Sequence, residues 1–186
     1  VNIHFDWLAP VYDRVIGEHN IDLLKEALDL PPDGWLLDAG GGTGRVSARL
    51  LPFTGRVVIS DWSKPMLKQA QAKGGLLLLN GRVERLPFPA EQFDRILVVD
   101  ALHHFPDQHG AIRDLIRVLK PGGRLVIEEP DINLRTTKMI ALMEKITLMG
   151  SHFHSPAEIG DMMAQNGLHV RQLHDERISA VVVGEK

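Results

Sequence analysis

The chain has no cysteine among its 186 residues. That absence removes disulfides, thiolate zinc sites, iron–sulfur ligation and cysteine nucleophiles together. Aromatic residues make up only 5% of the chain, with a single Tyr, Tyr12. Positive charge is not in excess: 21 Lys and Arg stand against 24 Asp and Glu, for a formal net charge of −3, and no dense basic run occurs. Nucleic acid is therefore not the partner expected on charge grounds. Long apolar runs are missing too. The longest, Gly75 to Leu79 and Ile96 to Val99, fall far short of the roughly 20 residues that span a bilayer, and read as buried strands. The opening "VNIHFDWLAPVYDRV" lacks the basic region and apolar core of a signal peptide. A cytoplasmic location is the expectation.

What is present is enough apolar material, 44% of residues, for one well-buried core. A single domain over 1–186 is expected. At the N-terminus Phe5, Leu8, Tyr12, Val15 and Ile16 fall at helical spacing, and "DLLKEALDL" continues as helix until Pro31-Pro32-Asp33-Gly34. Residues 1–30 thus read as a helical cap. From residue 35 short apolar strands alternate with helices: "WLLDAG", "GRVSARLL", "GRVVISD", "PMLKQAQAK", "GLLLLN", "FDRILVVDA", "GAIRDLIRVL", "GRLVIEEP". Strands without polar alternation, separated by helices, predict an α/β fold with a mainly parallel sheet covered on both faces. Two helical stretches follow within 131–166, the first bearing "MIALMEKITLM", an apolar segment suited to a substrate lid. The final "LHVRQLHDERISAVVVGE" reads as an antiparallel pair closing one edge.

The segment "LDAGGGTGR", residues 37–45, joins a strand to a helix, the setting in which backbone N–H groups meet a ligand at the carboxyl edge of a sheet. Its glycines either bind a ligand or merely build a tight turn. A phosphate-binding loop needs G-x-x-x-x-G-K-[ST], and no Lys follows at that spacing. A dinucleotide fingerprint needs G-x-G-x-x-G, and the third glycine is replaced by Arg45. The actual arrangement is Asp38-x-Gly40-x-Gly42-x-Gly44. Asp61 ends the next strand, 21 residues after Gly40, near the offset of a ribose-binding acid; one carboxylate can accept two hydrogen bonds from a cis-diol. The bland alternative makes Asp61 a neighbour of a helix start at Ser63 and Pro65.

These features resemble class I S-adenosylmethionine-dependent methyltransferases of the type 11 group. "VVISDWSKPML", "GRVERLPFPAEQFDRILVVDALHHFPD" and "RVLKPGGRLVIEEP" are similar to its successive motifs, and the "FDWLAPVYDRV" start is similar to that of ubiquinone and menaquinone biosynthesis methyltransferases. The resemblance implies a Rossmann-like sandwich with a mainly parallel seven-stranded sheet, an antiparallel closing strand and helices on both faces. It implies S-adenosylmethionine as cofactor, S-adenosylhomocysteine as product, and a small-molecule methyl acceptor, with a quinone-like or other partly apolar metabolite favoured. It also implies roles: Asp38, Gly40, Gly42 and Gly44 at the methionine part, Asp61 on the ribose, Trp62 and Met66 beside the adenine, the Val83 N–H on a ring nitrogen, and Tyr12 closing near the methyl group.

Asp100 is the expected partner of the cofactor's cationic methionine end. His103 and His104 follow the same strand and are candidates for a general base, although a lone His is more often structural. One position departs from the family pattern: Arg82 stands where an acid usually accepts the adenine amino group, and Arg has donors only. It stacks on the adenine face, leaves the bond to another acceptor such as Asn80 or a main-chain carbonyl, or lowers cofactor affinity. The departure also supports a second reading, a cofactor-binding module without catalysis. His152 and His154 have no Cys partner at finger spacing, and no metal is expected there.

Overall fold

The computed structural model describes residues 19–130, 152–174 and 179–186. Tyr12, most of the N-terminal cap and the "MIALMEKITLM" segment lie outside the described residues. Strands β1 (Trp35–Ala39), β2 (Arg56–Asp61), β3 (Leu77–Asn80), β4 (Phe93–Val99), β5 (Leu119–Pro130), β6 (His169–His174) and β7 (Ser179–Glu185) form one sheet in the order β3-β2-β1-β4-β5-β7-β6. The first five pair in parallel. β7 runs antiparallel to both β5 and β6 and is the one reversed strand of this sheet. The expected antiparallel pair at one edge is therefore present, with the later strand on the inside.

The helices among the described residues are α1 (Ile21–Leu28), α2 (Ser47–Leu50), α3 (Lys64–Lys73), α4 (Gln108–Val118) and α5 (Pro156–Gln165). Their starts follow capping chemistry: Asn20, Ser63 and Asp107 each accept a backbone N–H of the first turn, and Ser155 forms a capping box with Glu158. α1 stops earlier than Pro31 requires, because Asp29 adopts a left-handed conformation (φ 48°) and turns the chain. The expected helix over "GRVSARLL" is shorter than its apolar pattern indicates. Four α-helical residues give way to a 3-10 turn at Leu51–Phe53, where Pro52 supplies no N–H to continue the ladder.

Alternation along the strands divides the interior in two. Ile96 and Val98 of β4 face α4 and α5, packing with Phe93, Ile112, Leu115, Ile159 and Met163. Leu97 points the other way, toward Leu24, Leu28, Val46 and Leu50. The central strands are thus buried on both faces along Leu36–Leu37, Val57–Ile59 and Ile96–Val98, whereas the run expected to be buried at 75–79 ends in edge strand β3, where Leu77 and Leu78 are exposed because no further strand covers them. β1 lies at the point where the order reverses, with β2 on one side and β4 on the other. The crevice outside the carboxyl ends at such a point is where open α/β sheets bind ligands.

Candidate functional site

A cavity of about 860 Å³ opens at that point. The register explains its composition. Ala39 pairs with Ser60 and Asp61 with Asn80, while Asp100 follows the end of β4, so Asp38, Asp61, Asn80 and Asp100 meet at one sheet edge.

The glycine loop fits between them closely. A Cβ on Gly40, whose φ is +78°, would come within 2.5 Å of Ala101 Cβ and 3.3 Å of the Phe105 ring. At Gly41 it would lie 2.6 Å from the Asp38 carboxyl carbon. Gly41 falls between the spaced glycines of the motif, and its steric need becomes visible only once Asp38 is seen folded under the loop. Gly44 acts differently, turning toward Ile59, Leu76 and Ala70 and packing the loop on α3 instead of lining the cavity.

Asp38 is 2% exposed and accepts the Ser47 hydroxyl at 2.6 Å. Burial pushes its carboxyl up to about 6, with Asp61 adding to the rise and Ser47, His19 and Arg45 opposing it. Asp61 bridges two elements: one oxygen accepts the Gly42 N–H at 2.9 Å and the other the Ser63 N–H at 2.7 Å. The Asn80 amide donates to the carbonyls of Asp61 and Trp62 at 3.0 and 2.9 Å, fixing the tip of β2. A carboxylate is an acceptor-only group, the kind that a ribose diol requires.

Beyond Asp61, Trp62 is 54% exposed on the cavity wall, and the Arg82 guanidinium lies 4.7 Å from its ring centre. The Arg82 guanidinium thus makes a cation–π contact with Trp62. Met66 and Val83 are buried and line the same end.

At the opposite end Asp100 has φ 49°, in the left-handed region that a residue with a Cβ seldom adopts. His19 Nε2 lies 3.3 Å from its carboxylate and His19 Nδ1 2.9 Å from Glu128. Burial alone would raise the Asp100 carboxyl; the bond and charge of His19, helped by His103 and Arg45, hold it below the usual range. Burial would likewise lower His19, but Asp100 and Glu128 outweigh it and lift the ring to about 9. His19 therefore carries a proton at neutral pH.

The two candidate bases separate. His103 is 5% exposed and sits behind the wall, its Nδ1 bonded to Glu129 and its ring stacked on Phe153 with centroids 4.3 Å apart. The other Glu129 oxygen accepts the Ala101 and Leu102 N–H groups at 2.9 and 2.7 Å. Of the acids ending β5, Glu128 thus serves His19 and Glu129 serves His103. His104 does line the cavity. Burial, then the His103 charge, pushes its ring down to about 3 against the pull of Asp100, so it stays neutral. His152, also on the wall, donates its N–H to the His103 carbonyl at 2.9 Å. No metal-binding group of His, Asp or Glu occurs among the described residues, and no helix among them is long and apolar enough to cross a membrane.

Acids at the tips of β1, β2 and β4, a loop cleared of Cβ atoms and an apolar wall at Trp62 suit a nucleoside carrying a cationic amino-acid tail. Residues 37–127 match the methyltransferase domain family, and the chain belongs to the class I S-adenosylmethionine-dependent methyltransferases, for which this cofactor fits the donor set. Within that class it is similar to the ubiquinone/menaquinone biosynthesis C-methyltransferase of Enterobacter sp. (strain 638), with 35% identity over 148 residues covering 74% of this chain; the match spans 57% of that relative's length. Among solved structures it resembles a Thermotoga maritima S-adenosylmethionine-dependent methyltransferase described as a possible histamine N-methyltransferase, at TM-score 0.82 and 24% identity with both chains fully covered. It also resembles the [4+2]-cyclase SpnF, at TM-score 0.80 and 16% identity, covering 100% of this chain and 94% of that one.

Proposed function

We propose that the protein transfers the methyl group of S-adenosylmethionine to a small, partly apolar acceptor, with a carbon of a quinone-like ring as the favoured target. The observation that carries this reading is Asp61, whose carboxylate joins the glycine loop to the tip of β2. A diol acceptor in that position, next to the cationic end marked by Asp38 and Asp100, supports a nucleoside with a charged tail. The acceptor class rests on the 35% identity to a quinone C-methyltransferase and on the expected apolar segment within 131–166.

When bound, the cofactor supplies an electrophilic methyl on a sulfonium, so the chemistry asks little acid–base work of the protein. Asp38, Gly40, Gly42 and Asp100 would hold the methionine part, and Asp61, Trp62, Met66 and Val83 the adenosine. Arg82 would cover the adenine face together with Trp62. Gly44 would act indirectly, through the packing of the loop. Holding the nucleophile in line with the methyl carbon contributes up to roughly 7–11 kcal/mol to such a displacement. His104, neutral on the wall, would orient the acceptor through a hydrogen bond; a ring titrating near 3 is too weak a base to hold the acceptor's proton at neutral pH. His103 would steady His104 from behind, and Tyr12, on the family pattern, would close over the methyl group.

The test is incubation with methyl-tritiated S-adenosylmethionine and a panel of reduced, demethylated quinones. Tritium in a ring methyl group supports the reading. Tight cofactor binding with no transfer to any acceptor would favour a cofactor-binding module instead, a reading to which Arg82 lends weight.

A further inference from the structure

β3 is an edge of the sheet, and among the described residues β2 is its one strand neighbour. The Gly81 N–H donates to the Asp61 carbonyl of β2 at 3.1 Å. By the alternation of a parallel ladder, Leu78 and Asn80 then direct their N–H and C=O groups outward. Edge strands are usually guarded by a charge or a proline within the strand. β3, Leu77-Leu78-Leu79-Asn80, has neither.

Its leucines add apolar surface on both sides of that open row. Leu77 pairs with Val58 and Leu78 with Ile59, whose side chains pack in different parts of the interior, so the two leucines lie on opposite faces of the sheet. Leu77 is 49% exposed and Leu78 36%.

The surroundings are basic. Residues 62–88 carry Lys64, Lys68, Lys73, Arg82 and Arg85 against a single acid, Glu84. Five cations to one acid give this stretch +4, within a chain whose total is −3. The lysines lie on α3, whose Leu67 and Ala70 pack with Ile59 of β2 and with Leu76 just ahead of β3. Arg82 and Arg85 follow the carboxyl end of β3, and both are exposed, as are Lys64 and Lys68.

We propose that β3 is a docking edge for an extended, acidic segment of another protein, which joins the sheet as an additional strand. Such a segment completes the open backbone row, covers Leu77 and Leu78 together, and meets cations at its flanks. A second copy of this chain fits poorly, because self-pairing would set one +4 surface against another. A bilayer fits poorly too, since hydrocarbon offers nothing to the outward N–H and C=O groups. The inference does not depend on the identity of the methyl acceptor.

The probe is a short synthetic peptide with a Val-Ile-Val-Ile centre flanked by Asp and Glu, titrated into the full chain. Amide exchange at Leu78 and Asn80 should be fast in the free protein and should slow by about tenfold or more on binding. Replacing the flanking acids by Lys, or one central residue by Pro, should each weaken the peptide by about tenfold or more. Leu77→Thr/Leu78→Thr should weaken the acidic peptide to a similar degree. Lys68→Glu/Arg85→Glu, which alters exposed side chains alone, should do the same and carries the comparison if the leucine variant does not fold. Equal binding of acidic and Lys-flanked peptides, no binding of either, or slowed exchange confined to residues outside 77–80 would overturn the docking edge. So would slow exchange at Leu78 and Asn80 in the free protein, which would show that the edge is already covered. Binding to phosphatidylglycerol vesicles without binding to the peptide would assign the surface to lipid instead.

Discussion

Asp61 and Gly42 are joined by a 2.9 Å hydrogen bond from the Gly42 N–H to the Asp61 carboxylate. The ribose-binding candidate is therefore also the strut that holds the glycine loop at its working distance from β2. Asp61→Ala removes both functions, and cofactor affinity should fall by about 10- to 100-fold in calorimetry. Asp22→Ala, on the exposed face of α1 with a side chain 93% accessible, should leave affinity within about twofold. Comparable losses in the two variants would remove Asp61 from the site.

Asp38 couples cofactor binding to pH. Its folded-state carboxyl is raised from 3.8 to about 6, so the folded protein binds more protons than the unfolded chain between those values. The stability of the free protein should then decline as pH rises from about 4 to 6, by up to roughly 3 kcal/mol, and Asp38→Asn should abolish that decline in thermal melts. A cationic ligand favours the ionised carboxylate. Cofactor affinity in the unaltered protein should accordingly weaken as pH drops below about 6, and an affinity flat from pH 5 to 8 would count against an ionised Asp38 at the methionine end.

His19 has the opposite sign. Its ring is raised from 6.5 to about 9, so its contribution is complete below pH 6.5 and is lost as pH rises through 9, again by up to roughly 3 kcal/mol. Melting temperatures measured from pH 6 to 10 should fall more steeply across 7–9 in the unaltered protein than in His19→Gln. Parallel curves would show that His19 is not the protonated bridge between Asp100 and Glu128.

The depressed titration of His104 carries a kinetic prediction. With its ring near 3, His104 should contribute no inflection to the rate of methyl transfer between pH 5.5 and 8. His104→Asn should lower the rate without changing the shape of the pH profile. Loss of a limb near pH 6 to 7 in the variant would instead identify His104 as a titrating base.

Much of the architecture is legible because its cause is local. The apolar runs of β1, β2 and β4 signal burial on both faces, although Leu77 and Leu78 of β3 carry the same pattern and lie exposed at the sheet edge, and Asn20, Ser63, Asp107 and Ser155 announce their helices through side-chain caps. The acids at strand tips are also readable, since Asp38 and Asp61 stand at chain offsets that a parallel sheet converts into neighbours. What the chain order hides are the contacts between distant segments. His19 and Glu128 are 109 residues apart, and nothing near either one signals that they share a proton. The roles of His103 and His104 depend on which one turns toward Glu129, a choice made by the 3-10 turn at Leu102–His104 and by Phe153. Gly41 reads as one glycine among four until the Asp38 carboxyl is found beneath it. Arg45 reads as a missing glycine until it is seen beside Asp100.

The inward position of β7 has a consequence in time. β1 to β5 can join the sheet as successive strand–helix units, each new strand pairing with one already in place. Among the described residues β6 has no strand neighbour except β7, and β5 keeps an open edge on that side until β7 slots between them. Until then the edge of β5 from Arg124 to Pro130 faces water instead of a strand, although it contains the two acids that brace the cavity. Assembly of the nucleoside half can therefore run ahead, while the final setting of Glu128 and Glu129 waits on a strand some 50 residues further along the chain.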